Sequence, residues 1–171
     1  TESYSDNARL WLNVGLTARA LGLLDEAEEA VERALALAPE AAKSLRLKAQ
    51  LALDRGKPAV DLFRAAHRVK PDDKDIWAGE AAALLDESRR DEAEIFLKAR
   101  LEKTPTWYHG QHMLAQVRWQ SGDPEGYVDG YRNALRNHPR DKRLWMDMIV
   151  ATARGQGHDV ALPLYDEARR T

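Results

Sequence analysis

The chain has 171 residues, 44% of them hydrophobic and 32% charged, which is enough apolar material for a core and far from the composition of disordered segments. A formal net charge of −2 argues against nucleic acid as a partner, and the absence of cysteine excludes disulfides and thiolate metal sites. No apolar run approaches the roughly 18–20 residues that span a bilayer, so no membrane insertion is expected, and no basic-then-apolar leader opens the sequence. The first residue is Thr1 rather than Met, so the sequence reads as a segment of something longer. Localisation stays open, with the cytoplasm as the default expectation.

In chain order, the pattern predicts ten helices near 8–21, 25–37, 42–55, 58–69, 74–87, 91–103, 108–121, 124–137, 142–154 and 159–170, and no strand. Residues 1–7 read as a flank. Ala27, Ala30, Val31, Ala34 and Leu35 recur at helical spacing and leave Glu28, Glu29, Glu32 and Arg33 for solvent. Asp25 with Glu28, and Asp91 with Glu94, have the spacing of a capping box. Lys57-Pro58 and Asp123-Pro124 place a proline where a helix begins, and Gly22, Gly56 and Gly122 punctuate turns. Pro163 is accommodated if Asp159 caps the final helix, which puts the proline in the first turn.

The decisive regularity is the proline spacing. Pro39, Pro71, Pro105 and Pro139 lie 32, 34 and 34 residues apart, each after an alanine-rich charged stretch. Setting each at the 32nd place of a 34-residue unit defines five units, 8–41, 42–73, 74–107, 108–141 and 142–171. Trp11, Trp77 and Trp145 then share the fourth place. Gly15, Ala49, Ala81 and Ala115 share the eighth, and Ala27, Ala59, Ala93 and Ala161 the twentieth. Val31, Phe63, Tyr131 and Tyr165 share the large-residue place of the second helix, each followed three residues on by alanine.

These residues resemble the tetratricopeptide repeat family, whose signature runs Trp, Leu, Gly, Tyr in the first helix and Ala, Phe, Ala, Pro around the second. The resemblance covers residues 8–171. It implies an all-α fold, a right-handed α-solenoid of five antiparallel helix pairs (an α-α superhelix). The departures are local. The second unit is two residues short between Gly56 and Ala59, which asks for a tighter turn, and Arg100 replaces a small residue. Tyr127 and Ile149 do the same in the last two units, whose helix pairs are expected to splay.

The resemblance also implies function. In such solenoids the first helix of each unit lines a concave groove that holds a peptide or a helix. Here the lining would be Arg9, Leu12, Asn13, Leu16 and Arg19, then Lys43, Arg46, Leu47, Gln50 and Leu53, then the small residues Ala78, Gly79 and Ala82, which would leave room for a partner's side chain. The fourth unit offers His109, His112, Met113, Gln116 and Trp119, and the fifth Arg143 and Met146. Aromatic, Met and His residues are common at adaptable interfaces, and the N-terminal cations would suit an acidic segment. Family members that clamp a chaperone's terminal carboxylate carry Lys and Asn where this chain has Leu12 and Leu16, so that role is not expected.

His109 and His112 are three apart on one helix, but no third metal ligand accompanies them, and they read as partner-facing. Nucleophile, phosphate-loop and dinucleotide motifs are absent, and no catalytic residue, metal or cofactor is expected. The leading expectation is a protein-interaction scaffold. The alternatives are a non-catalytic region of a larger bacterial enzyme, such as a sulfotransferase or an iron/2-oxoglutarate oxygenase, and a self-assembling structural solenoid. A homodimer through the C-terminal unit, or a weak end-to-end contact, is also expected.

Overall fold

The computed structural model describes residues 2–170, with side chains described for 7–123 and 125–170. Among them are ten α-helices and no strand: α1 (Glu2–Ala20), α2 (Leu24–Leu37), α3 (Ala42–Asp54), α4 (Val60–Val69), α5 (Lys74–Asp86), α6 (Arg90–Lys103), α7 (Tyr108–Gln120), α8 (Pro124–Asn137), α9 (Lys142–Gln156) and α10 (His158–Ala168). The order matches the sequence pattern element for element. The fold is all-α and of the helical-repeat solenoid class. The one large boundary difference is at the start, where α1 runs back to Glu2, so the segment expected to be a flank is helix. No proline or glycine lies between Glu2 and Leu10 to stop it. The chain divides into two compact units, residues 1–88 with α1–α5 and 89–171 with α6–α10.

In the first unit, α1 packs on α2, α3 on α2 and α4, and α5 on α4. Gly15 is where α1 lies closest: a Cβ there would sit 3.0 Å from Leu47 and 3.4 Å from the Ala27 carbonyl. Ala27, Val31, Ala34, Leu47 and Leu51 close the core behind it. In the second unit α7 packs on α6 and α8, and α9 on α8 and α10. Its core joins Ala115, Val128, Tyr131, Ala134, Leu144 and Met148. Tyr127 does not force α7 and α8 apart, as the sequence pattern suggested. Gly130 faces Ala115 so closely that a Cβ on it would lie 2.9 Å from the alanine methyl, and the tyrosine turns onto other aromatic rings.

Several helix starts differ from expectation. Leu23 and Arg89 occupy the caps of α2 and α6 without a side-chain hydrogen bond, so Asp25 and Asp91 fall inside the first turn. There Asp25 and Glu28 pair with Arg55, and Glu94 with Lys98 and Arg118, instead of completing capping boxes. Carboxylates in a first turn still favour the helix dipole without capping it. The shortened second unit begins α4 at Val60, not at Pro58. Glu87, just past α5, supplies the cap from a distance: its Oε1 accepts from the Ala59 and Val60 N–H groups at 2.9 and 3.1 Å. Asp123 caps α8 with Pro124 in its first turn, accepting from Gly126 N–H at 2.9 Å. The caps of α5 and α9 are Asp73 and Asp141, each accepting from two backbone N–H groups. Lys70 and those N–H groups hold the Asp73 carboxyl below its ordinary range. Gly157, with φ +99°, precedes α10, which places Pro163 sixth in that helix and leaves the Asp159 carbonyl without its usual intrahelical donor.

The proline period has a physical partner in the fourth place. The Trp77 indole N–H donates to the Pro71 carbonyl at 2.7 Å, and that of Trp145 to Pro139 at 2.8 Å. A buried indole needs an acceptor, and the carbonyl of the residue that ends the preceding helix supplies it. Gln111 takes the same place in the fourth unit and donates to Pro105 at 3.5 Å.

Candidate interaction surface

The residues expected to line the groove separate into two sets, one in each compact unit. In the first, Arg9, Asn13 and Lys43 are exposed, and Gln50 is half-buried. Arg46 is hydrogen-bonded to Asp75 of α5, and Arg19 of α1 holds Asp54 of α3 through Nε at 2.6 Å and Nη2 at 3.1 Å. Those pairs cross from one first helix to the next, and α1, α3 and α5 approach one another directly. The cationic lining inferred from sequence is therefore reduced to Arg9 and Lys43. Leu12 and Leu47, also expected on the lining, are buried in the core, because their side chains reach between α1, α2 and α3.

The room expected at Gly79 is taken. Phe63 of α4, fully buried, lies across the bare α5 backbone, and a Cβ on Gly79 would fall 2.1 Å from its Cε1. Burying that ring contributes roughly 2–3 kcal/mol, and glycine is what lets it approach. One turn further along α5, Glu80 is buried between His67, whose Nδ1 lies 2.7 Å from Oε2, and Arg64, whose Nε lies 3.4 Å from Oε1.

The second unit is different. His109, His112, Met113 and Gln116 are half-buried on α7, and Trp119 is 37% exposed. The Trp119 ring is tilted against Tyr127, with centroids 5.1 Å apart, and Tyr127 meets Tyr131 edge-on at the same separation. The Tyr131 hydroxyl lies 2.9 Å from His112 Nδ1 and donates to the Tyr127 hydroxyl at 3.4 Å. Burial pushes the Tyr131 phenol well up, with the Tyr127 hydrogen bond adding to it. Burial also holds the His112 imidazole below its ordinary value; Asp147 of α9 opposes that shift, while His109 and Arg143 reinforce it. The arrangement is a fixed aromatic platform with a neutral imidazole in it, suited to apolar and hydrogen-bonding contact. Arg143 and Met146 are exposed on α9. Among the described residues, α7 and α9 make no approach like that of α1 to α3, and no ion pair joins them.

Tyr127 and Asp147 are the parts of this surface that sequence reasoning undervalued. The signal was present in one of them: a tyrosine where other units keep alanine has to find space outside the helix crossing. Among the described residues no three histidine or carboxylate side chains gather as a metal site, and no helix is long and apolar enough to cross a membrane.

A family model described as the tetratricopeptide repeat matches residues 8–41, the unit of α1 and α2. The remaining pairs keep its period and its small-residue contacts. Solved structures of the same repeat class agree with that over nearly the whole chain: pilF of Pseudomonas aeruginosa superposes with a TM-score of 0.77 at 17% identity, covering 98% of this chain and 78% of that one. The chain is a tetratricopeptide-repeat protein. MamA from Desulfovibrio magneticus RS-1 gives a TM-score of 0.74 at 16% identity, over 96% of this chain and 94% of that chain. YrrB, described as a tetratricopeptide-repeat protein with an unusual peptide-binding site, gives 0.64 at 17% identity, over 92% and 82%. At these identities the likeness establishes the fold alone. No curated protein sequence matches this tetratricopeptide-repeat chain.

Proposed function

We propose that this tetratricopeptide-repeat chain is a non-catalytic protein-interaction scaffold that holds a peptide or helical segment of another protein against α7. The observation that carries the reading is the pairing of Trp119 with Tyr127 beside His112. Large rings are left accessible there, yet their positions are fixed by neighbours, so a partner gains contact area at little cost in side-chain entropy. His109, Met113 and Gln116 border the rings, and Arg143 and Met146 extend the same surface on α9. In the first unit Arg9 and Lys43, with Asn13 and Gln50, form a lesser contact suited to acidic residues, while Arg46 stays with Asp75.

The test is affinity capture from the source lysate with the wild-type chain and with a Trp119→Ala, His112→Ala variant, both first shown to be folded by circular dichroism. A specific partner retained by the wild type and lost by the variant supports the α7 surface. A partner retained equally by both removes it. Self-association through the last helix pair is a second reading, favoured by the exposure of Met146, Leu162 and Tyr165.

A further inference from the structure

The repeat makes it possible to compare one place across all five helix pairs, and two places behave differently in α1. Ile76 and Glu80, third and seventh in the unit of α5, are buried, with Glu80 against α4. Leu144 and Met148 hold the same places in α9 and are buried in the cluster that includes Tyr131, Ala134 and Leu135 of α8. In α1 these places are Leu10 and Val14, 61% and 48% exposed. They are the apolar side of a helix-stacking contact with nothing stacked on it.

The matching half is exposed on α10. The residues equivalent to Tyr165 are Val31, Phe63, Leu97 and Tyr131, all fully buried, and those equivalent to Leu162 include Val60 and Val128, also buried. Tyr165 itself is 50% exposed and Leu162 62%. Beside Tyr165, a groove of about 570 Å³ opens between α9 and α10, floored by Trp145, Met146 and Ile149. Ile149 stands where other units have glycine or alanine, and this is the one pair where the small-residue contact is missing. The rim is cationic, with Arg140, Lys142 and Arg169, whereas the first turns of α1 bring two anions in sequence, Glu2 and Asp6.

We propose that α1 of one copy docks on α9 and α10 of a second copy, as α9 docks on α8 within the chain. The occupant is specified by three properties together: the same two repeat places, aliphatic side chains of the type those places bury elsewhere, and charge opposite to the groove's rim. This rests on the self-association reading given above and changes its form. The two surfaces are unlike, so the contact is head-to-tail and does not close on itself, and the assembly grows with concentration.

Three proteins test it by sedimentation velocity and light scattering across the micromolar range: the wild-type chain, a Leu10→Glu, Val14→Glu variant, and a Leu162→Glu, Tyr165→Glu variant. The substituted side chains are exposed, and circular dichroism checks that each variant remains helical. The expected result is a wild-type mass that rises past the dimer with concentration, monomers for each variant alone, and a one-to-one dimer when the variants are mixed. Each variant keeps one intact surface, so only a head-to-tail contact gives that complementation. A wild-type monomer at every concentration overturns the proposal. So does a dimer that survives the α1 substitutions, which would mark symmetric pairing through the last helix pair. The Trp119→Ala, His112→Ala variant keeps both docking surfaces, so loss of partner capture and loss of self-association are read separately.

Discussion

The two compact units use the same helix-pair grammar to opposite ends. The first closes its first-helix side with its own residues: Arg19 to Asp54 and Arg46 to Asp75 brace neighbouring helices, and Phe63 fills the space over Gly79. The second leaves Trp119 accessible on Tyr127, without a brace between α7 and α9 among the described residues. Charge divides the same way. Residues 1–88 carry twelve Lys and Arg against sixteen Asp and Glu, whereas residues 89–171 carry fourteen against twelve and four of the five histidines. A repeat thus separates two demands that conflict in one surface, internal stability in one stretch and accessible contact groups in the other.

The most severe way to break this contrast is to reopen the closed side. Gly79→Ala puts a methyl within 2.1 Å of the Phe63 ring, and the expected loss is about 2 kcal/mol, seen as a lower midpoint in urea unfolding. Adding Phe63→Leu should recover part of it, because a smaller side chain makes room for the methyl. An unchanged midpoint for Gly79→Ala would mean that Phe63 does not pack there. In the second unit Gln116→Ala, at a half-buried groove place, should cost well under 1 kcal/mol by the same measurement.

That pair of substitutions also marks what the sequence made legible. The ten helices followed from proline spacing and apolar periodicity, since both are local properties. Gly79 was correctly singled out as a gap in the lining, but a gap in sequence does not say what fills it, and Phe63 comes from another helix. The cations failed for a related reason. Arg46 is charged in any reading, whereas its neutralisation depends on Asp75 lying 29 residues away. Asp25 and Asp91 matched a capping pattern, yet the helices begin one or two residues earlier and the carboxylates found arginines and a lysine instead. Trp119 was found because exposure follows from its helical position alone.

The second unit can be sharpened by pH. His112 in the folded chain holds its proton less tightly than in the unfolded chain, because burial disfavours the imidazolium. The unfolded chain therefore binds more protons as pH falls below 6.5, the ordinary value for histidine. The contribution of His112 to stability is full above that value, declines as pH drops through it, and levels off below the folded value. His112→Gln should flatten this part of the profile between about pH 7 and about pH 5. Urea unfolding at several pH values checks it, and an identical slope in the variant would remove the imidazole as the source.

The smallest effect concerns the braces. Asp75 is mostly exposed, so the Arg46–Asp75 pair is screened by solvent and should couple by only about 0.2–1 kcal/mol in a double-mutant cycle with Arg46→Ala and Asp75→Ala, less as salt is raised. Its weight lies in charge availability. If the brace is what keeps Arg46 from partners, Asp75→Ala should increase retention of an acidic peptide on the first unit without lowering the unfolding midpoint by more than that coupling. Retention that stays at the wild-type level would place the difference between the two units in their aromatic residues alone, with the ion pairs as incidental surface contacts.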